Sequence, residues 1–281
     1  AVLAAGSCGP RGRSVPVAET TLVLGVAQPA SDDQPGRSLS RVSALLGRAS
    51  LLRLDRTCRV RPGLASSATP SSDGLTWNIV LGEGLRFHDG SALDAEAVAG
   101  LLAPGEDDPA FQPPGLRDIA SVATTAPHTV QVRLRAPSSL LAEALASLEV
   151  TGGAEGTSGA GPFVPVAGTP GKGLEMAAFD ARHGGRPAID RLVLRSFPTA
   201  RTAWAALMRR EIDFLYEVSP EALGFVASSA DAQVRSFLRS YVYAVGFNVS
   251  HPALRSPDFR RRLAASVDRR ALIDDVFGGR G

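Results

Sequence analysis

Apolar side chains recur at every second position across residues 75–81, a period typical of a β-strand with one buried face. The residues on the predicted buried face are Leu75, Trp77, Ile79 and Leu81. A break with two glycines at residues 82–84 ends the strand, and a second apolar pair, Leu85 and Phe87, predicts a short second strand. This region therefore begins as two strands separated by a glycine break.

A turn and a helix start follow directly. Asp89-Gly90 predicts a tight turn, because glycine accepts a positive φ without steric cost. Asp94 is the predicted N-cap of the next helix, and Glu96 lies near the positive end of that helix dipole. The full order is strand, glycine break, short strand, turn and capped helix.

Further elements are predicted outside this region, among them two strands and two helices. Residues 20–27 are rich in β-branched and apolar side chains, which favours a strand, and residues 192–197 predict another strand. Residues 40–54 carry apolar side chains at helical spacing, which predicts one long helix. A further helix is predicted over residues 199–210.

Residues 73–98, which read DGLTWNIVLGEGLRFHDGSALDAEAV, resemble the signature of the family 5 extracytoplasmic solute-binding proteins. These are the dipeptide, oligopeptide and nickel binders of ABC importers. Residues 159–163 (GAGPF) and 179–190 (FDARHGGRPAID) are similar to two shorter family motifs, and residues 256–281 resemble a second long one. The resemblance implies an α/β, mixed-sheet, bilobed periplasmic-binding-protein type II fold whose second lobe is incomplete in this chain.

Three positions compared with the family carry specific expectations. Gly161 is expected to allow a tight or positive-φ turn before the next strand. Arg182-His183 stands where the family has a Tyr-Trp pair, so the packing of that pair is in doubt here. Residues 211–214 (EIDF) resemble another short family motif, and Arg210 before them replaces the glycine usual at a helix end, where glycine would relieve a left-handed conformation.

The resemblance also predicts the domain organisation. Residues 1–18 are expected to be the remnant of a signal with a lipobox, followed by a polar tether; residues 19–245 form lobe I; and residues 246–281 start lobe II. Phe259, Leu263 and Val267 form an i, i+4, i+8 apolar stripe on a predicted helix of this last segment. Because most of the second lobe would lie beyond residue 281, the stripe is expected to remain exposed.

The start of the chain predicts export. Apolar and small residues precede Cys8, as at the end of a secretory signal with a lipobox, so Cys8 is the predicted site of lipidation. The resulting protein would be a membrane-anchored lipoprotein in the periplasm or another extracytoplasmic space. The only other cysteine is Cys58, and a lone cysteine is usually a buried small hydrophobe.

Composition and motifs narrow the function classes. The formal net charge of +2 gives no basic field that would favour nucleic acid. The four histidines are dispersed without metal-ligand spacing, and no G-x-S-x-G nucleophile motif is present. Catalytic, metal and cofactor sites are therefore not predicted, and a hydrolase is the least favoured class.

The resemblance places the ligand site at two segments, the loop after the first strand and the segment at residues 241–248. The residues expected to bind ligand are Gln28, Pro29, Tyr241, Tyr243 and Asn248. The implied function is solute capture for an ABC importer, with peptides as the favoured solute and a permease and an ATPase as partners. The alternatives are a ligand-sensing module without a transport role and a non-functional half-protein.

Overall fold

The structure is a computed structural model of the 281-residue chain. It describes residues 19–27, 37–104, 114–153, 156–169, 173–216, 218, 223–224, 226, 228–229, 232–235, 245–277 and 279.

The described residues form strands and helices in the following order. The strands are β1 (Thr21–Ala27), β2 (Ala49–Ser50), β3 (Leu52–Leu54), β4 (Val60–Pro62), β5 (Ala65–Pro70), β6 (Thr76–Leu81), β7 (Ile119–Ala126), β8 (Thr129–Leu134), β9 (Glu149–Val150), β10 (Phe163–Thr169), β11 (Gly173–Ala178), β12 (Arg191–Phe197) and β13 (Phe214–Leu215). The helices are α1 (Arg37–Gly47), α2 (Ala95–Leu102), α3 (Leu141–Ser147), α4 (Ala200–Met208), α5 (Pro257–Ala265) and α6 (Arg269–Phe277), with a 3-10 turn at Pro252–Leu254.

One sheet is antiparallel and has the strand order β5-β6-β8-β7. Its inner face packs together with residues of α2 and α3 around the larger apolar core. The alternation predicted for residues 75–81 is confirmed, because β6 buries Trp77, Ile79 and Leu81 and exposes Asn78. This sheet therefore has one buried face and one solvated face.

The second sheet is mixed and has the order β10-β11-β12-β1-β13. β1 runs parallel to both β12 and β13, whereas β10, β11 and β12 are antiparallel neighbours. One face packs with α1 around Leu24, Val26 and Leu194, and the other packs with α4 around Ala203 and Ala206. Two short pairs, β2 with β9 and β3 with β4, complete the described sheets.

The signature segment folds largely as predicted. Gly90 has a φ of +84°, which confirms the glycine turn, and the Asp94 carboxylate caps α2 by accepting from the backbone N–H groups of Glu96 and Ala97. The predicted second strand at residues 85–87 is wrong, since only an isolated bridge between Arg86 and Ala92 forms. Leu85 and Phe87 are nevertheless buried, so their side chains contribute to the core without a continuous ladder.

The helix predicted over residues 40–54 is wrong beyond Gly47. α1 ends at this residue, and residues 49–54 then pair as β2 and β3. The reason is the close approach of another backbone, because the N–H of Gly161 donates to the Gly47 carbonyl at 3.0 Å. Apolar spacing alone carried the prediction past the point where tertiary contacts end the helix.

Gly161 is needed for space. Its φ is not positive, but a Cβ at this position would lie 2.5 Å from the Arg48 backbone nitrogen. The family glycine therefore permits close packing of two backbones, which corrects the positive-φ alternative. His183 packs in a comparable way, since a Cβ on Gly82 would lie 2.9 Å from its imidazole ring. An imidazole thus fills space next to Gly82 in a motif where the family has an aromatic pair.

Two exposed residues, Arg210 and Cys58, have a positive φ, and one confirms its prediction whereas the other does not. Arg210 has a φ of +58°, so the left-handed conformation expected at the end of α4 is confirmed. Cys58, expected to be buried, is exposed and has a φ of +57° in the turn between β3 and β4. The Asp55 carboxylate organises that turn by accepting from the backbone N–H groups of Thr57 and Arg59, which presents residue 58 to solvent.

The C-terminal segment is exposed as expected. Ser256 caps α5 by accepting from the N–H of Phe259 at 3.4 Å, and a proline occupies the first turn. Phe259 and Leu263 of α5 are 46% and 42% exposed. Val267 is 46% exposed but lies beyond the end of α5 at Ala265, so the prediction of one helix carrying all three residues is wrong. Within the described part of the chain, no helix combines the length and apolar character required to cross a membrane.

Candidate functional site

The carboxyl ends of three parallel strands, β12, β1 and β13, lie side by side in the mixed sheet. This carboxyl end of the sheet is called the edge. In the register of β1 with β12, Ala27 lies opposite Phe197, and in the register with β13, Gly25 lies opposite Leu215. Tyr216 follows β13 at once, and its N–H donates to the Gly25 carbonyl at 3.1 Å. Ligands of open α/β sheets bind outside the carboxyl ends of the strands, so this edge is the candidate site.

A glycine in β1 allows this edge to pack. A Cβ on Gly25 would lie 2.4 Å from Cδ1 of Ile212 and 3.2 Å from the ring of Phe197. Ile212 is 1% exposed and belongs with Leu215 to the core beneath α4. The absent side chain of Gly25 therefore gives Ile212 room to pack against the sheet, next to β13.

The helix behind β12 starts at the same edge. Thr199 is the N-cap of α4, and its hydroxyl accepts from the N–H of Thr202 at 3.2 Å. The Thr202 hydroxyl in turn accepts from the N–H of Thr199 at 3.3 Å, which completes a capping box. These side chains satisfy two N–H groups at the start of α4 and fix where the helix leaves β12.

A groove of about 580 Å³ runs along the end of β12. Its lining includes Arg195, Ser196 and Phe197 from β12, Gly173 and Glu175 from β11, and Glu211. Its two acidic residues form ion pairs within the protein, Glu175 with Arg191 and Glu211 with Arg209. The hydrogen bond from Arg209, at 2.6 Å, lowers the pKa of Glu211, with a smaller contribution from the charge of Arg195.

The amino end of β1 is held by a second charged group. The Asp190 carboxylate accepts from the N–H of Thr20 at 2.7 Å and pairs with Arg186 at 2.5 Å. The hydrogen bond from Thr20, followed by that from Arg186, lowers the pKa of Asp190. Arg186 also pairs with Asp180 at 2.6 Å, so one guanidinium connects two acids of the motif at residues 179–190. This cluster anchors β1 at the end opposite the candidate site.

The structure describes one of the five predicted ligand-binding residues. Those outside the described residues are Gln28, Pro29, Tyr241 and Tyr243, and the predicted lipidation site Cys8 also lies outside them. Gln28 and Pro29 follow directly after Ala27, the last residue of β1. Asn248 is exposed, and its side-chain oxygen accepts from the N–H of Ser250 at 3.0 Å. This bond closes a turn, and the contact of Asn248 with solute stays a prediction.

Sequence reasoning missed Tyr216. This half-buried aromatic residue lies directly after β13, whose parallel pairing with β1 places it at the candidate edge. The signal was present in the chain, because Glu211 to Phe214 resembles a family motif and the next aromatic residue is Tyr216. The described residues contain no group of three or more His, Cys, Asp or Glu side chains arranged to hold a metal ion.

The chain spans about half the length of the relatives that it matches. A Brucella ovis protein named for peptide binding in an ABC transporter is 31% identical over 238 residues, which are 77% of this chain and 44% of the relative. The oligopeptide-binding protein AppA of Bacillus subtilis, solved with a nonapeptide, is similar with a TM-score of 0.71 and 21% identity, over 94% of this chain and 57% of AppA. NikZ of Campylobacter jejuni, solved with Ni(L-His), is similar with a TM-score of 0.66 and 21% identity, over 94% of this chain and 56% of NikZ.

These structures confirm the expected fold, an α/β protein with mixed sheets of the type II periplasmic-binding-protein class, of which the chain covers about half. The model of the bacterial extracellular solute-binding proteins, family 5 Middle, matches residues 59–281. This match covers far more than half of the chain. The chain therefore belongs to the family 5 bacterial extracellular solute-binding proteins.

Proposed function

We propose that this chain contributes one wall of the solute site of an ABC importer and that the solute is a peptide. The observation that carries the proposal is the shared edge of β12, β1 and β13, with Tyr216 beside it and a groove along the end of β12. The family and the Brucella ovis relative, named for peptide binding, support the solute class. The role is binding, and the chemistry of transport belongs to the partners.

The proposed ligand contacts combine the described edge with the predicted loop residues. Gln28 and Pro29 continue from β1, and Tyr216 continues from β13. A peptide needs donors and acceptors for its backbone and apolar surface for its side chains. Tyrosine provides both, because its ring is apolar and its hydroxyl forms hydrogen bonds. Tyr241, Tyr243 and Asn248 are proposed to complete this wall.

The proposed mechanism is closure of two lobes around the solute. Residues 19–245 form lobe I in this proposal, and residues 246–281 begin lobe II. Closure about a hinge removes the solute from water and strengthens each polar contact. The exposed apolar residues Phe259, Leu263 and Val267 would then be covered by the remainder of lobe II. The 281 residues alone are expected to bind solute weakly, because they supply one wall.

The proposed partners are a membrane permease and an ATPase that receive the loaded protein. Cys8 is proposed to carry a lipid, which would place the protein outside the cytoplasm on the membrane surface. One acyl chain binds membranes only marginally, so a stable lipid anchor here requires a second signal, such as another acyl chain or a basic patch.

The experiment that tests this function is to sequence the locus on both sides of the reading frame. The proposal predicts an in-frame continuation downstream, a basic start with an apolar core upstream of Cys8, and adjacent permease and ATPase genes. A stop directly after Gly281 with no transporter genes nearby would overturn the transport role. A continuous frame without the upstream signal would overturn export and the lipid anchor.

A further inference from the structure

Asp213 forms two hydrogen bonds to one residue of β1. Its backbone N–H donates to the Val23 carbonyl at 2.8 Å, and its carboxylate accepts from the Val23 N–H at 2.8 Å. From this geometry we infer that Asp213 is a positioning residue that fixes β13 on β1 and thereby places Tyr216 at the solute edge. This inference rests on the proposed function for the solute contact of Tyr216.

The shortness of β13 makes this clamp important. β13 contains two residues, so few ladder bonds hold it against β1. The paired bonds at Asp213 set the register at the start of β13, and the bond from Tyr216 to Gly25 closes its far end three residues later. Because side chains alternate between faces, a one-residue slip would remove Leu215 from the core beneath α4. The register at Asp213 therefore determines where Tyr216 leaves the sheet.

Amide hydrogen exchange of the 281-residue chain tests the clamp without any solute. Asp213→Ala removes the carboxylate acceptor, whereas Asp213→Asn retains a side-chain oxygen at the same place. We expect the exchange of the Tyr216 amide to become about tenfold faster in D213A and to remain within about twofold of wild type in D213N. The amide of Val130, in the other sheet, is the internal reference, and Asp258→Ala on exposed α5 is the matched acid control.

Two exchange results would overturn the inference. One is unchanged exchange at Tyr216 in D213A. The other is equal acceleration at Tyr216 and Val130, which would show a general loss of stability in place of local positioning. Rescue by D213N together with acceleration confined to residues 214–216 supports the clamp.

A second experiment, which measures solute binding, separates this inference from the proposed function. The probe is a nonapeptide, titrated by calorimetry into the full-length protein that the gene encodes. D213A is expected to weaken binding about tenfold and D213N about twofold or less. Equal affinity of D213A and wild type would overturn the link from Asp213 to the solute. Absence of binding by wild type would count against the proposed function, and the exchange result alone would then decide the role of Asp213.

Discussion

The imidazole Nε2 of His88 donates a hydrogen bond to the carbonyl oxygen of Gly161 at 3.0 Å, and this bond joins two motifs that are 73 residues apart in sequence. The backbone N–H of His88 also donates to the Gly159 carbonyl at 2.8 Å. The His88 ring meets Phe179 edge to face, with 4.9 Å between the ring centroids. The turn that follows β6 of the antiparallel sheet is thus attached to the loop that precedes β10 of the mixed sheet.

His88→Ala is expected to lower the free energy of unfolding by about 2 kcal/mol, because it removes one partly buried hydrogen bond and one aromatic contact. Urea denaturation measures this change. His128→Ala is the matched control, since His128 is exposed at the turn between β7 and β8. Its expected effect is within about 0.5 kcal/mol. Equal losses in both variants would contradict a specific role of His88 between the sheets.

Gly161→Ala is expected to lower the free energy of unfolding by about 3 kcal/mol or to prevent folding, because its Cβ would overlap backbone atoms that cannot rotate away. The nearest atoms would be the Arg48 nitrogen and the Gly47 carbonyl carbon, both at 2.5 Å. Gly100→Ala is the control: Gly100 lies in α2 with open space around it. That variant should gain about 1 kcal/mol from helix propensity. A tolerated Gly161→Ala would show that residues 47–48 are free to move.

Arg210→Gly is expected to raise the free energy of unfolding by about 1 kcal/mol, because glycine adopts a positive φ without the steric cost that a Cβ brings. Arg210 has a φ of +58° and follows Arg209, the C-cap of α4. Thermal unfolding followed by circular dichroism measures the change. Arg210→Ala separates the effect of the backbone from that of the side chain, since alanine keeps the Cβ. A glycine variant no more stable than the alanine variant would contradict the backbone explanation.

Acid should destabilise the turn that presents Cys58. The hydroxyl of Thr57, then Arg61 and the backbone N–H of Arg59, hold the pKa of Asp55 far below its ordinary value of 3.8. A lowered native pKa means that the ionised carboxylate stabilises the fold at pH above about 4 and that this contribution is lost as the pH falls below it. Asp55→Asn should therefore reduce stability at pH 7 and flatten its decline between about pH 5 and pH 3.

Urea midpoints at several pH values between 7 and 3 measure this dependence. Asp258→Asn removes an exposed carboxylate on α5 and controls for the change in net charge. If the stability of Asp55→Asn falls as steeply with pH as that of wild type, Asp55 is not the source of the acid dependence.

Local chemistry could be predicted where the determinants lie close together in sequence. The alternation in β6, the glycine turn at Gly90 and the cap at Asp94 depend on neighbouring residues, and all three are present. The end of α1 depends on contacts from residues more than 100 positions away, so apolar spacing could not reveal it. The sequence also could not show that Gly161 is needed for close packing, because only folding brings the backbone of Arg48 beside it.

The candidate site shows the same division. Family motifs pointed to the loop after β1 but not to Tyr216, whose place depends on the parallel pairing of β13 with β1. Asn248 remains a predicted solute contact, and its described bond to Ser250 closes a turn in the same segment. Residues far apart in sequence therefore define the site, and single motifs identify only parts of it.

The most direct test of the central claim is calorimetric titration of the full-length protein that the gene encodes with a nonapeptide and, separately, with Ni(L-His)2. Solute capture of peptides predicts a nonapeptide Kd on the order of micromolar, corresponding to about −8 kcal/mol. Tyr216→Ala should weaken this binding about tenfold, whereas Tyr216→Phe should retain most of it because the ring remains. Binding of the nickel complex without binding of the peptide would contradict the proposed solute, and binding of neither would contradict the account of a solute site at the edge of β12, β1 and β13.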